Sequence, residues 1–188
     1  METKTKNQDQ ATQQMGSGEF REFFIDQLKD IYWAEKALHK ALPELMAAST
    51  SKKLAQAFEK HTKETAEQIK IDEQVFELLG EKPEGKKCDA MEGLIKEANS
   101  VIKDTEKDSY TRDAGLILAA QKVEHYEIAS YGTLVIFAKD MGEPEVAKLL
   151  QQILDNEKET DVTLTKVAEE YVNERAAMEC WWWRAMTA

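Results

Sequence analysis

Residues that staple or break a fold are scarce in this chain. Two cysteines in 188 residues, Cys88 and Cys180, stand far apart and outside any CxxC spacing. That argues against a disulfide framework or a thiolate zinc site, and fits a reducing, cytoplasmic setting. Three prolines and eight glycines leave few breakers, and β-branched runs are short, so little favours a sheet. No segment approaches the roughly 18 apolar residues that a membrane span needs, and the Gln-rich start is not a signal peptide. Positive charge is the minority sign: 25 Lys and Arg face 36 Asp and Glu, a net charge of −11. Such a chain is repelled by nucleic acid and by anionic lipid, so neither is an expected partner.

What the chain has in quantity is Ala, Leu, Glu, Lys and Gln, all strong helix formers. The class is all-α, and the length reads as one domain able to bury about two-thirds of its unfolded surface. Residues 1–18 are polar and close on Gly16-Ser17-Gly18; they read as a disordered arm. Residues 19–175 read as a helical bundle and 176–188 as a tail. The first long helix runs from about Glu19 to Ala48, with an apolar stripe of Phe24, Leu28, Ile31, Leu38, Leu42 and Leu45. Pro43 should kink or restart it. Ser49-Thr50-Ser51 offers caps for a second helix over Lys52–Leu79, with Gly80 where a C′ glycine belongs. A loop follows, then a short helix from about Asp89 to Asp104. The third long helix spans about Ser109 to Lys139, and the fourth opens at Pro144 and continues to about Arg175. Short links within each pair and a long excursion between pairs predict two antiparallel helix hairpins, with the short helix in the crossover, forming a four-helix bundle. In the tail, Trp181-Trp182-Trp183 would suit a partner subunit or a membrane interface, or be an appended extension; no function rests on them.

The informative residues are acids inside the apolar stripes. Glu35 interrupts the row Ile31, Leu38, Leu42. His61, Glu64 and Gln68 share a face with Leu54 and Phe58 on the second helix, and Glu124 and Glu127 fall between Ala120 and Tyr131 on the third. On the fourth, Glu157 and Asp161 sit between Ile153 and Leu164. All four long helices thus carry a carboxylate near mid-length on the face that should be buried. Buried carboxylates are costly and repel one another, and the nearby Lys36, Lys63, Lys122, Lys158 and Lys166 fall off the acid rows. A metal pair is the economical counter-charge, and oxygen-rich donors favour iron or manganese over zinc. For any one position a solvated acid on a mixed face is the simpler reading; similar depth on four helices is what argues for a site. His61 and His125 read more readily as structural residues than as ligands, and Tyr32, Tyr126 and Tyr131 as core packing or as hydrogen-bond donors to ligands.

Four ordered segments carry a resemblance. Leu28 to Lys36, His61 to Gln68, Val123 to Tyr131 and Leu154 to Asp161 resemble the YciF-like proteins, bacterial stress-associated members of the ferritin-like superfamily, over roughly residues 19–172. The resemblance implies a di-iron-type bundle and a homodimer; a small oxidant, oxygen or peroxide, is the reactant in one of the functions left open. The resemblance also implies two iron ions, with manganese as the alternative. Glu124-x-x-Glu127 is similar to the third-helix motif of rubrerythrins; by that likeness Glu35 and Glu124 are terminal ligands, Glu64 and Glu157 bridge, and Glu127 is additional or exchangeable. The Glu-x-x-His that ferritin-like di-iron enzymes usually carry on the second and fourth helices is missing here. Glu67 and Thr160 stand three past the bridging pair and Gln68 and Asp161 four past, which brings Gln68 and Asp161 into the expected ligand set, while Asn156 occupies a place where relatives often have Glu. A redox enzyme, a non-catalytic metal-binding protein and a helical scaffold all remain open on these residues.

Overall fold

In a computed structural model the backbone is described over residues 3–186, and the side chains over residues 18–179. The chain is helical with short links: α1 Thr3–Ala48, α2 Lys52–Leu79, α3 Asp89–Asp104, α4 Tyr110–Asp140, α5 Pro144–Val167, a π-helical turn Ala168–Val172, and α6 Asn173–Met186. α1 pairs with α2 and α4 with α5; the hairpins meet chiefly through α2 against α5, while α3 packs against α1 and α4. This is the expected four-helix bundle with its crossover helix.

The starts and stops follow local chemistry, with one tertiary substitution. α2 and α4 both end on a glycine in the left-handed region, Gly80 at φ 71° and Gly142 at φ 78°. After each, the paired bonds of a Schellman turn close the helix: Gly80 N to Glu77 O and Glu81 N to Phe76 O, then Gly142 N to Lys139 O and Glu143 N to Ala138 O. Ser51 precedes α2 as expected, but its side chain makes no cap. Asp113 of α4 performs that task instead, accepting from Thr50 N at 2.7 Å and Ser51 N at 2.6 Å. α1 runs through Pro43 to Ala48; the proline lies in the last turns, where losing one backbone bond does not end a helix already held by its core stripe.

Both ends of the bundle extend further than expected. α1 is helical back to Thr3, through the polar segment expected to lack regular structure; lengthening an existing helix requires no new nucleus. The side chains of that segment, and those of the Trp-rich run from Cys180 onward, lie outside the described residues. After the π turn the chain stays helical as α6, which packs on α4. There Glu179 accepts from Tyr110 N at 2.7 Å and Thr111 N at 3.0 Å, satisfying the first amides of α4.

The stripes read from the sequence form the core: Phe24, Leu28, Ile31, Leu42, Leu54, Phe58, Leu116, Leu150 and Ile153 are each at most 1 % exposed. Burial on this scale is the main driving force for folding, at about 25 cal/mol per Å² of apolar surface. Embedded in the same core are Glu35, Asp72, Glu124, Glu127 and Glu157, all 0 % exposed.

Candidate metal centre

Each long helix delivers at least one buried polar residue to the core. α1 contributes Glu35; α2 contributes His61, Gln68 and Asp72; α4 contributes Glu124, Glu127 and Tyr131; α5 contributes Glu157. Ligand atoms from His61, Glu124, Glu127 and Glu157 lie within 4.8 Å of one another, close enough for a shared cation. The His61 Nε2 to Glu124 Oε1 separation is 3.3 Å, but neither His61 nitrogen makes a well-directed hydrogen bond.

The hydrogen-bond account of this region does not close. Ten buried side-chain atoms among the described residues lack a partner, and every one belongs to Glu35, His61, Gln68, Asp72, Glu124, Glu127 or Glu157. Natural cores leave very few buried polar atoms unpaired, at about 1–3 kcal/mol each and more when charged. Such a concentration in one place marks this group as one that could hold a metal ion.

The electrostatics agree. Burial, followed by Glu157 and Asp72, holds the Glu35 carboxyl well above the usual range, although the Tyr131 hydrogen bond opposes it. Glu127 is raised by burial and then by Glu35, Glu157 and Glu124, and Glu157 by burial and then Glu124. Burial pushes Glu124 and Asp72 up to about 8. Burial and mutual repulsion thus favour the protonated form of these acids. His61 is pushed the other way by burial, so its imidazole is neutral and available as a nitrogen donor.

A few partners orient the acids. Tyr131 Oη donates to Glu35 Oε1 at 2.7 Å and lies 3.0 Å from Asp72 Oδ2. Gln68 Nε2 donates to Glu157 Oε1, and to Asn156 Oδ1 at 2.8 Å. Of the other tyrosines considered, Tyr32 bonds Glu73 at 2.8 Å, and Tyr126 bonds Asp30 at 2.9 Å while approaching the buried Cys88 thiol to 3.1 Å. Neither touches the cluster acids.

Of the seven residues read as ligands, Glu124, Glu127 and Glu157 fall with His61 in the group whose ligand atoms lie within 4.8 Å; Glu35 is buried outside that group, close enough to feel the charges of Glu157 and Glu124, and Gln68 sits on its rim, donating to Glu157. Glu64 and Asp161 lie outside the group, although the charge of each acts on Glu124. Glu64 is part-exposed, paired with Lys60 Nζ at 2.7 Å and bonded by Asn156 Nδ2 at 3.0 Å. Asp161 faces Gln121 Nε2 at 3.2 Å and His125 Nε2 at 3.4 Å, with its side chain 22 % exposed. Their stripe neighbours Thr65 and Thr160 are buried in their place. Two residues were undervalued in the sequence: His61, read as structural, and Asp72, which continues the α2 spacing of His61, Thr65, Gln68 and Val75 and was legible by that spacing alone.

Residues 19–177 match the family described as a domain of unknown function, DUF892. Protein YciF of Escherichia coli K12 is 53% identical over 154 residues, covering 81% of this chain and 92% of that protein. The crystal structure of the E. coli stress protein YciF superposes with a TM-score of 0.78 at 52% identity, covering 82% of this chain and 97% of that one. YcfI from Rhodopseudomonas palustris gives 0.77 at 39% identity, over 79% and 94% of the two chains. With its helical bundle, its motifs on four helices and these likenesses in accord, the chain belongs to the DUF892 family of YciF-like proteins.

Proposed function

We propose that this protein is a YciF-like stress protein that binds a pair of iron or manganese ions among Glu35, His61, Glu124, Glu127 and Glu157. The observation that carries the reading is the set of ten unpartnered atoms concentrated in one buried cluster. Their chemistry fits hard cations: the donors are carboxylate oxygens with one neutral imidazole and no thiolate. The charge fits as well, because four buried glutamates carry −4 when ionised, which two divalent cations balance and one does not.

Bound iron or manganese would supply a change of oxidation state and open positions for oxygen or peroxide. The chain's own residues supply the rest. Tyr131 fixes the carboxylate of Glu35, Gln68 fixes that of Glu157, and His61 stays neutral because burial disfavours its cation. The apolar stripes of α1 and α4, including Ile31, Leu38, Val123 and Leu134, keep bulk water away. The homodimer expected from the family resemblance belongs to the same proposal, as does a cytoplasmic location; among the described residues no helix is long and apolar enough to cross a membrane.

The test is elemental mass spectrometry of protein purified without chelators, read against chain concentration. About two metal ions per chain support the site. No bound metal after anaerobic addition of Fe(II) overturns it. Repeated peroxide-dependent oxidation of bound Fe(II) would separate an enzyme from a protein that only holds metal.

A further inference from the structure

A buried site that exchanges metal needs a route by which a hydrated cation loses its water. Beside the cluster, between α2 and α5, lies a surface cavity of about 370 Å³ whose wall includes Lys60, Glu64, Gln68, Ile153 and Asn156. Gln68 belongs to both places. It is 3 % exposed, lines the cavity and donates to the cluster acid Glu157, while its Oε1 has no partner. A second cavity, at Glu124, is about 10 Å³ and lined by Leu38, Leu42 and Ile95 among others. That is room for about a single water and no hydrated ion.

Polar groups follow one another from the outside inward. Lys60 Nζ, half exposed, pairs with Glu64 at 2.7 Å. Asn156 Nδ2 donates to Glu64 at 3.0 Å; Gln68 Nε2 donates to Asn156 Oδ1 at 2.8 Å and to Glu157. The order is carboxylate, amide, amide, carboxylate, with an ammonium group at the mouth. Divalent metal ions take oxygen ligands and release water reluctantly, so a succession of oxygen donors lowers the cost of each exchange. An amide offers a neutral oxygen that assists passage without holding the ion as a carboxylate would.

Building on the metal-centre reading, we propose that Glu64, Asn156 and Gln68 form the entry route for divalent cations to the buried cluster, with Glu64 as the outer capture group. Lys60 neutralises Glu64 and restrains entry. This gives Glu64 a role on the path instead of in the resident ligand set, and the two roles separate experimentally.

The test uses Co(II) as an optical probe, mixed by stopped flow with the intact metal-free protein, with equilibrium loading measured by elemental mass spectrometry. Glu64→Gln should slow loading about tenfold, because local field focusing changes on-rates by that order or more, and final loading should match wild type. Asn156→Leu should also slow it, and Lys60→Met should speed it. Glu64→Gln is close to isosteric at a part-exposed position, so it remains informative if Asn156→Leu misfolds. Wild-type rates in both Glu64→Gln and Lys60→Met, at full loading, overturn the route. Reduced final loading in Glu64→Gln makes Glu64 a resident ligand and also overturns it. No uptake by the wild type refutes the metal centre itself, a result distinguishable from either.

Discussion

Replacing Glu127 with leucine should stabilise the metal-free protein and abolish the benefit of metal. Glu127 is 0 % exposed, neither of its carboxyl oxygens has a partner, and its nearest charges are Glu35, Glu157 and Glu124. Leaving one buried polar group unpaired costs about 1–3 kcal/mol, and exchanging buried charged groups for apolar side chains of similar volume has gained about 1–4 kcal/mol elsewhere. A gain of about 2 kcal/mol corresponds to a rise in Tm of roughly 4–8 °C for a chain of this size. The gain should depend on pH. An acid whose folded pKa is raised contributes stability that is fully present below its unfolded value and is lost as pH rises through its folded value. The wild type therefore weakens relative to the variant as pH climbs, and the difference in Tm should be larger at pH 8 than at pH 5. With metal the order should reverse: wild type gains by RT ln(1 + [L]/Kd) and the variant gains much less. The assay is thermal unfolding by circular dichroism at both pH values, with chelator and then with Mn(II). A metal-free variant that melts well below wild type at pH 8 would refute the reasoning, because Glu127 would then hold the fold together by itself.

Three further outcomes follow from the same geometry. Metal-free wild type should lose stability steadily between pH 4.5 and 8, since Glu124 and Asp72 are raised to about 8 by burial; urea titrations across that range check this, and a rise towards pH 8 contradicts it. Tyr131→Phe removes the hydroxyl that holds Glu35 and should weaken metal affinity about 10–100-fold while the bundle folds, as read by competition with a chelating dye; unchanged affinity would leave Tyr131 a packing residue. Asp113→Ala should cost about 2–3 kcal/mol by orphaning the Thr50 and Ser51 amides, seen as a lower urea midpoint with metal loading intact.

Much of this architecture was legible because helical periodicity is local. The stripe from Phe24 to Leu45 and the glycine at 80 each report on their own turn of chain, and both behave as read. The acids at Glu35, Glu124, Glu127 and Glu157 were legible for the same reason: each breaks an otherwise apolar row. Other features were not local. The cap on α2 comes from Asp113, more than 60 residues away, and no inspection of Ser49-Thr50-Ser51 reveals it.

The assignment of Glu64 and Asp161 shows where periodicity stops deciding. Successive residues turn by about 100°, so Glu64 lies only about 40° from Gln68, and Asp161 the same angle from Glu157. Both fall inside a stripe that is itself about 100° wide. Which edge of such a stripe faces the centre depends on how the helix is rotated against its neighbours. Packing turns His61, Thr65, Gln68 and Asp72 inward on α2 and leaves Glu64 beside Lys60; on α5 it buries Glu157 and Thr160 and turns Asp161 towards His125. Four long helices with acids buried among them follow from the chain alone, because period and polarity are written residue by residue. Which acids meet follows from packing, because the rotation of each helix about its axis is set by the side chains of the others.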